Sequence, residues 1–276
     1  MKKLLKPALL IFIFALGFFY YFNYIRTVGS GTIPIITYHS IRDDNEEANE
    51  YVVSCEKFDD MVRSLSESNF TFLDLKDVED IVYGRKALPE NPVMITLDDG
   101  YADNYTNVFP ILKKYKVKAS IFIIGSYVGR QGFLTFDQIQ EMAESGLVDF
   151  GSHTYNLHDL FQDGANKGKT WLSVKREDES REDYLKKITD DLIWNNTVIY
   201  ERTSVFPTAI SYPGAMVNDD VKKAAKDAGL KIGFVGADKT ASKLGNLDPY
   251  EIKRFNMRQT TDVKNTVRFL KSSKDN

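Results

Sequence analysis

The sequence predicts an α/β fold: a distorted (β/α) barrel of about seven strands, carried behind one N-terminal transmembrane helix. Three observations lead there. From residue 33 onward, short apolar runs alternate with amphipathic runs of helical period, the pattern of parallel βαβ units. Polar residues fall just past the apolar runs, at His39, Asp98–Asp99, His153 and Tyr212–Pro213, where such a barrel presents its chemistry. Before residue 27, three lysines precede a long apolar stretch. An open doubly wound sheet is the rival architecture.

The elements follow in order. Residues 1–6, with Lys2, Lys3 and Lys6, form a basic tail expected in the cytoplasm. Residues 7–26 are apolar from Ala8 to Ile25 except at Asn23, and about 18–20 apolar residues suffice to cross a bilayer. A cleaved signal peptide is the alternative, but its apolar region is usually shorter, and "TVGSG" makes a weak cleavage site. Either reading puts the remainder outside the cytoplasmic membrane, anchored by a single pass or released to the surface or medium. Residues 27–32 are a Gly/Ser/Thr linker, and 33–276 form one domain.

Within that domain "IPIITYHS" (33–40) reads as a buried strand ending at His39. In "FDDMVRSLSES" (58–68) Phe58, Met61, Val62 and Leu65 recur at helical spacing. "FTFLDL" is a strand, "KDVEDIVYG" a helix closed by Gly84, and "NPVMITLDDG" (91–100) a buried strand running into acid and glycine. Then come helix "NVFPILKKY", strand "KASIFIIG", helix "FDQIQEMAESG" closed by Gly146, and strand "LVDFGS". A polar insertion (162–186) with Trp171 reads as a solvated excursion or a substrate lip. Helix 187–200, strand "TAISYPG", helix "NDDVKKAAKDAG", strand "LKIGFVG" and a helix over 262–272 complete the domain.

Of the 276 residues, 43% are hydrophobic and 27% charged, enough for a real core. The net charge of −3 and the lack of a basic cluster exclude nucleic acid as partner. Cys55 is the only cysteine, which excludes an internal disulfide or a thiolate metal cluster. A monomer is expected.

Two of the three histidines sit in "GSHTYNLHDL" (151–160). Five positions leave them about 140° apart on a helix and on opposite faces of a strand. They converge only if the chain turns between them, with Asn156 in the turn. Asp98 and Asp99 end another strand, and buried adjacent carboxylates are costly unless partnered. A divalent cation makes the set coherent. His153, His158 and one aspartate supply N and O ligands and leave open positions, while the other aspartate takes a proton from water. Such ligands suit zinc first, and cobalt or nickel as well.

"ITLDDGY", "SHTYNLH" and "SYPGAMVND" together resemble the polysaccharide deacetylase family, carbohydrate esterase family four, over about residues 33–258. "YHSI" and "HTYNLH" resemble most the subgroup that de-N-acetylates poly-β-1,6-N-acetylglucosamine. The resemblance implies Asp99, His153 and His158 as metal ligands and Asp98 as general base. It implies the Gly214 backbone N–H as an oxyanion donor, Tyr212 and Pro213 beside the substrate, and Arg254 in "IKRFNM" as the group that orients the base. Gly214 replaces a tyrosine of the family's Tyr-Pro-Tyr-Gly loop, removing an aromatic wall but keeping a backbone donor. The late histidine that serves many members as general acid has no counterpart after His158. His39, on the catalytic rim, is a candidate to donate a proton or bind substrate. The implied reaction removes N-acetyl groups from an extracellular polysaccharide of the biofilm-matrix type. The same chemistry on peptidoglycan or acetylxylan, or a non-catalytic glycan-binding protein, are the alternatives.

Overall fold

The computed structural model describes residues 13–18, 31–44, 49–237 and 241–272. Residues 13–18 are helical, while the rest of the expected tail, anchor and linker lies outside the described residues, apart from Gly31 and Thr32. Among the described residues no helix is long and apolar enough to cross a membrane.

Eight parallel strands build the main sheet: β1 (Ile35–Tyr38), β2 (Thr71–Leu73), β3 (Pro92–Leu97), β4 (Ala119–Ile123), β5 (Val148–Ser152), β6 (Ala209–Ser211), β7 (Ile232–Ala237) and β8 (Ile252–Asn256). Their order is β1-β8-β7-β6-β5-β4-β3, and β3 returns to β1 with Ile35 opposite Met94 and Tyr38 opposite Leu97. The sheet therefore closes as a seven-strand barrel, which rules out the open doubly wound alternative. β1 takes residues 94–97 on one edge of β3, so β2 (on 92–94) and β4 (on 96–97) share the other edge. That sharing is the distortion. The sequence reading reached seven strands by counting 71–73, an accessory to the ring, and omitting 252–256, a member of it.

The strands are apolar on both faces because helices cover the outside and side chains fill the inside; all six residues of β3 are buried. Side chains alternate. Ile35, Met94, Phe122, Phe234 and Ile252 fill the interior. Ile36, Ile95, Leu97, Ile121 and Phe150 face the helical layer. The helices are α1 (Cys55–Glu67), α2 (Leu75–Val82), α3 (Phe109–Tyr115), α4 (Phe136–Glu144), α5 (Arg181–Thr203), α6 (Asp219–Asp227) and α7 (Val263–Ser272). Their starts are written locally. Ser54, Ser180 and Asn218 cap α1, α5 and α6, and capping boxes (Asp74/Asp77, Thr135/Gln138) start α2 and α4.

The Ser180 cap starts α5 at Arg181, six residues earlier than the apolar spacing indicated. The preceding insertion is only partly a solvated excursion. Thr170 and Leu172 are fully buried, and Leu172 N–H donates to the Leu157 carbonyl at 3.0 Å. Residues 162–165, 167–169 and 175–178 form most of its exposed part. At the end of the barrel opposite the histidines, Asp149 accepts the Leu75 N–H at 2.7 Å. Burial pushes this carboxyl up to about 7.

Candidate active site

Strand alternation delivers four of the site's polar groups. Counting inward positions along β3, Met94 and Thr96 are followed by Asp98. On β8 Ile252 is followed by Arg254, on β6 Ala209 by Ser211, and on β5 Gly151 by His153. All four converge at the C-terminal mouth of the barrel.

The Arg254 guanidinium meets the Asp98 carboxylate as a two-pronged pair, Nη1 to Oδ1 at 2.8 Å and Nη2 to Oδ2 at 2.7 Å. Arg254 also donates to Ser211 Oγ at 2.8 Å, and that hydroxyl donates to Asp98 Oδ2 at 3.0 Å. Thr96 Oγ1 takes a further contact at 3.2 Å, and the guanidinium rests over the Phe122 and Phe234 rings. Burial alone would raise the Asp98 pKa. The arginine outweighs it, and the carboxyl sits at about 2. The arginine expected to orient the base is thus a buried partner of it, not a solvated surface residue.

Asp99 would follow the alternation outward, but its φ is +74° and that of Gly100 +76°. Two left-handed residues in succession turn the Asp99 side chain back over the mouth. A side chain at Gly100 would also come 2.9 Å from Ile123 Cγ2, so glycine is needed there for space as well. The chain turns between the histidines over Thr154, which has φ +73°, and the bend at Tyr155 and Asn156, the latter as the sequence suggested. Asp191 on α5 holds that turn by accepting the N–H groups of Tyr155 and Asn156 at 2.9 and 2.8 Å.

His153 Nε2 and His158 Nε2 each lie 3.3 Å from Asp99 Oδ1, and the three prospective ligand atoms all lie within 4.8 Å of one another. Bonds of about 2.0–2.1 Å from a tetrahedral cation place ligand atoms roughly 3.4 Å apart, so the set fits one ion. His153 Nδ1 stands 2.7 Å from the Ser211 carbonyl. A carbonyl only accepts, so Nδ1 carries the proton and the neutral ring turns a free Nε2 lone pair to the site. Burial opposes charge on both Asp99 and His153, yet their mutual contact prevails: Asp99 is held well below the usual carboxylate range and His153 above its ordinary value.

These groups line a cleft of about 330 Å³ with His39, Tyr51, Tyr101, Leu160, Gly214 and Asn256. The His39 ring packs on Tyr51 with centroids 4.6 Å apart. Burial first, then Arg254 and His153, lower its pKa against the pull of Asp98 and Asp99. Gly214 lies in the short turn Pro213–Ala215 with φ +60°. Tyr212 borders the cleft, but with its ring turned away from solvent. Its ring is 1% exposed, packs in the apolar cluster beneath α5 and α6, and points its hydroxyl at Gly233. Pro213 is also buried and, unlike Tyr212, is not among the residues that line the cleft. Sequence reasoning missed Ser211 and Thr96, each two residues along a strand from an inward neighbour, and the cleft residues Tyr51 and Tyr101.

A sequence model of the family described as polysaccharide deacetylase matches residues 85–233. The chain is 34% identical over 232 residues to the poly-beta-1,6-N-acetyl-D-glucosamine N-deacetylase of Staphylococcus epidermidis, covering 80% of this chain and 73% of that protein. It is 31% identical over 238 residues to the protein of that name from Staphylococcus aureus, covering 80% and 77%. The solved structure of a de-N-acetylase from Aggregatibacter actinomycetemcomitans has the same fold, with a TM-score of 0.75, 24% identity, and coverage of 86% of this chain and 99% of that one. By these matches the chain belongs to the polysaccharide deacetylase family, and its activity is hydrolysis of an N-acetyl amide.

Proposed function

We propose that the protein removes N-acetyl groups from N-acetylglucosamine residues of an extracellular polysaccharide, poly-β-1,6-N-acetylglucosamine in the first instance. The observation that carries the reading is the meeting of Asp99, His153 and His158 beside an ionised, arginine-clamped Asp98 in one open cleft. The names of the staphylococcal relatives support the choice of glycan. The apolar stretch before residue 27 supports placement on the outer face of the cytoplasmic membrane.

Asp99, His153 and His158 would hold the divalent cation, zinc in this proposal. A cation so held supplies Lewis acidity, polarising the acetyl carbonyl and acidifying water. The Gly214 N–H, on the cleft wall, donates to the acetyl oxygen as it gains charge. Asp98 accepts the proton of the attacking water and returns it to the departing nitrogen, so water is added across the C–N bond to give acetate and a free amine. Arg254 fixes the direction of that carboxylate. His39, with its lowered pKa, is neutral at pH 7 and serves as a hydrogen-bonding wall and not as a stored acid.

Acetate release tests the reading. Poly-β-1,6-N-acetylglucosamine oligomers should be deacetylated faster than peptidoglycan fragments or acetylxylan, and a chelator should abolish the activity until zinc is restored. Preference for peptidoglycan, or activity indifferent to chelation, overturns it.

A further inference from the structure

His153 and His158 are held by different means. His153 follows directly on β5 and is fixed by the sheet. His158 lies past the left-handed Thr154, so its place depends on the backbone of 154–157. One helix grips both that segment and the strand end before it. Asp191 and Asn195 stand one turn apart on α5 and so face the same way. The Asp191 carboxylate accepts the Tyr155 N–H on one oxygen at 2.9 Å and the Asn156 N–H on the other at 2.8 Å. The Asn195 amide donates to Ser152 Oγ at 2.9 Å and to the Ile123 carbonyl at 3.1 Å. That carbonyl also accepts the His153 N–H at 3.0 Å.

Both placements work against the fold. Asn195 is fully buried, and its Oδ1 finds no hydrogen-bond partner among the described residues. Only the missing side chain of Gly125 makes room for it, since a Cβ there would strike that oxygen. Asp191 has no ion pair among the described residues, and burial pushes its carboxyl up to about 6 against the pull of the two N–H groups. Apolar side chains at 191 and 195 would pack α5 on the sheet without either penalty. Polar groups retained against stability point to a role in the site they touch.

We infer that Asp191 and Asn195 are positioning residues for the metal centre: from α5 they set how His158 stands relative to His153. Neither touches substrate or ion. The inference rests on the reading of Asp99, His153 and His158 as the ligands. Two acceptor oxygens are needed at 191, one for each N–H. Asparagine offers one oxygen and turns its NH2 toward the other N–H, so the segment moves and His158 moves with it. Asn196 supplies a control. It is the neighbouring fully buried amide, but it donates to the Ala228 carbonyl at 3.0 Å, at the end of α6 and away from the histidines.

The test uses the full chain and three measurements: zinc Kd by competition with a chromophoric chelator, the visible spectrum of bound cobalt(II), and Tm in excess chelator. Asp191→Asn and Asn195→Ala each raise the zinc Kd at least about tenfold, as loss of a group that orients a ligand does. Both also shift the cobalt bands, which follow ligand geometry. Asn196→Ala lowers Tm but leaves the zinc Kd within about twofold and the cobalt spectrum unchanged. Asp191→Asn removes a charge that burial opposes, so it folds even if Asn195→Ala does not. A zinc Kd within about twofold of the unaltered protein's in either folded variant, or an equal rise in Asn196→Ala, overturns the inference alone. An unaltered protein that binds no zinc overturns the ligand set and the inference together.

Discussion

Replacing Arg254 with methionine tests the construction of the site through its cost to the fold. The Arg254 and Asp98 side chains are only 4% and 5% exposed, joined by two hydrogen bonds of 2.8 and 2.7 Å. Methionine approximates the arginine stem but leaves the Asp98 carboxylate buried without its cation. Breaking such a pair costs about 3–5 kcal/mol. For a domain of this size, each kcal/mol shifts Tm by about 2–4 °C, so a loss near 4 kcal/mol lowers Tm by roughly 8–16 °C. Asp98→Asn strands the opposite charge and falls in the same range. The double variant strands neither, so its loss should be smaller than the sum of the two by at least about 2 kcal/mol. Thermal and urea unfolding of the four proteins, in chelator and again with zinc, supply the cycle. Additive losses, or an Arg254→Met protein whose Tm moves by less than about 2 °C, would refute the buried-pair account.

The other expectations concern separate parts of the molecule. Asp99→Asn and His158→Ala each reduce bound zinc, measured by elemental analysis after gel filtration, and lower acetate release by at least about 10²-fold; full zinc content in both would remove them from the ligand set. Asp149 titrates near 7 when folded and near 3.9 unfolded, so its contribution to stability is present below pH 4 and lost as the pH rises through 7. Asp149→Asn therefore melts above the unaltered protein at pH 8, by roughly 1–3 kcal/mol, with the gap closing toward pH 4; a gap independent of pH contradicts the burial of that carboxyl. Gly100→Ala forces a side chain against Ile123 at a left-handed residue next to Asp99, so it weakens zinc binding. Gly214→Ala, whose nearest neighbour is the flexible Met216 side chain at 3.3 Å, leaves zinc binding intact; equal effects on zinc titrations would sever the link between the Gly100 turn and the metal site.

Most of the barrel was legible because its strands are apolar runs and its helices carry caps. What escaped was β8. In "IKRFN" the inward Arg254 and outward Lys253 break the apolar pattern, since the inward position is filled by a charge that has its partner on another strand. The histidines and aspartates were legible as a set, because three of them can share one ion while the fourth carboxylate remains to act beside it. The left-handed residue that opens the turn between the histidines was not. Thr154, a β-branched residue, adopts a left-handed conformation held by Asp191 from a distant helix, and no local signal announces that. The placement of the Tyr212 ring was not legible for a related reason. Its neighbours read as a loop beside the substrate, but its ring fills space left by the missing side chain of Gly233, which only the β6–β7 pairing reveals.

Ser211 touches both halves of the centre through different parts of itself: its main-chain oxygen receives His153, and its hydroxyl bridges Asp98 and Arg254. A change of side chain at this position can therefore retune the proton acceptor while leaving the imidazole tautomer alone. The reverse is not open to point substitution, because the carbonyl is common to every amino acid. Selection can adjust basicity here by small steps, whereas the hold on the cation is inherited with the strand itself.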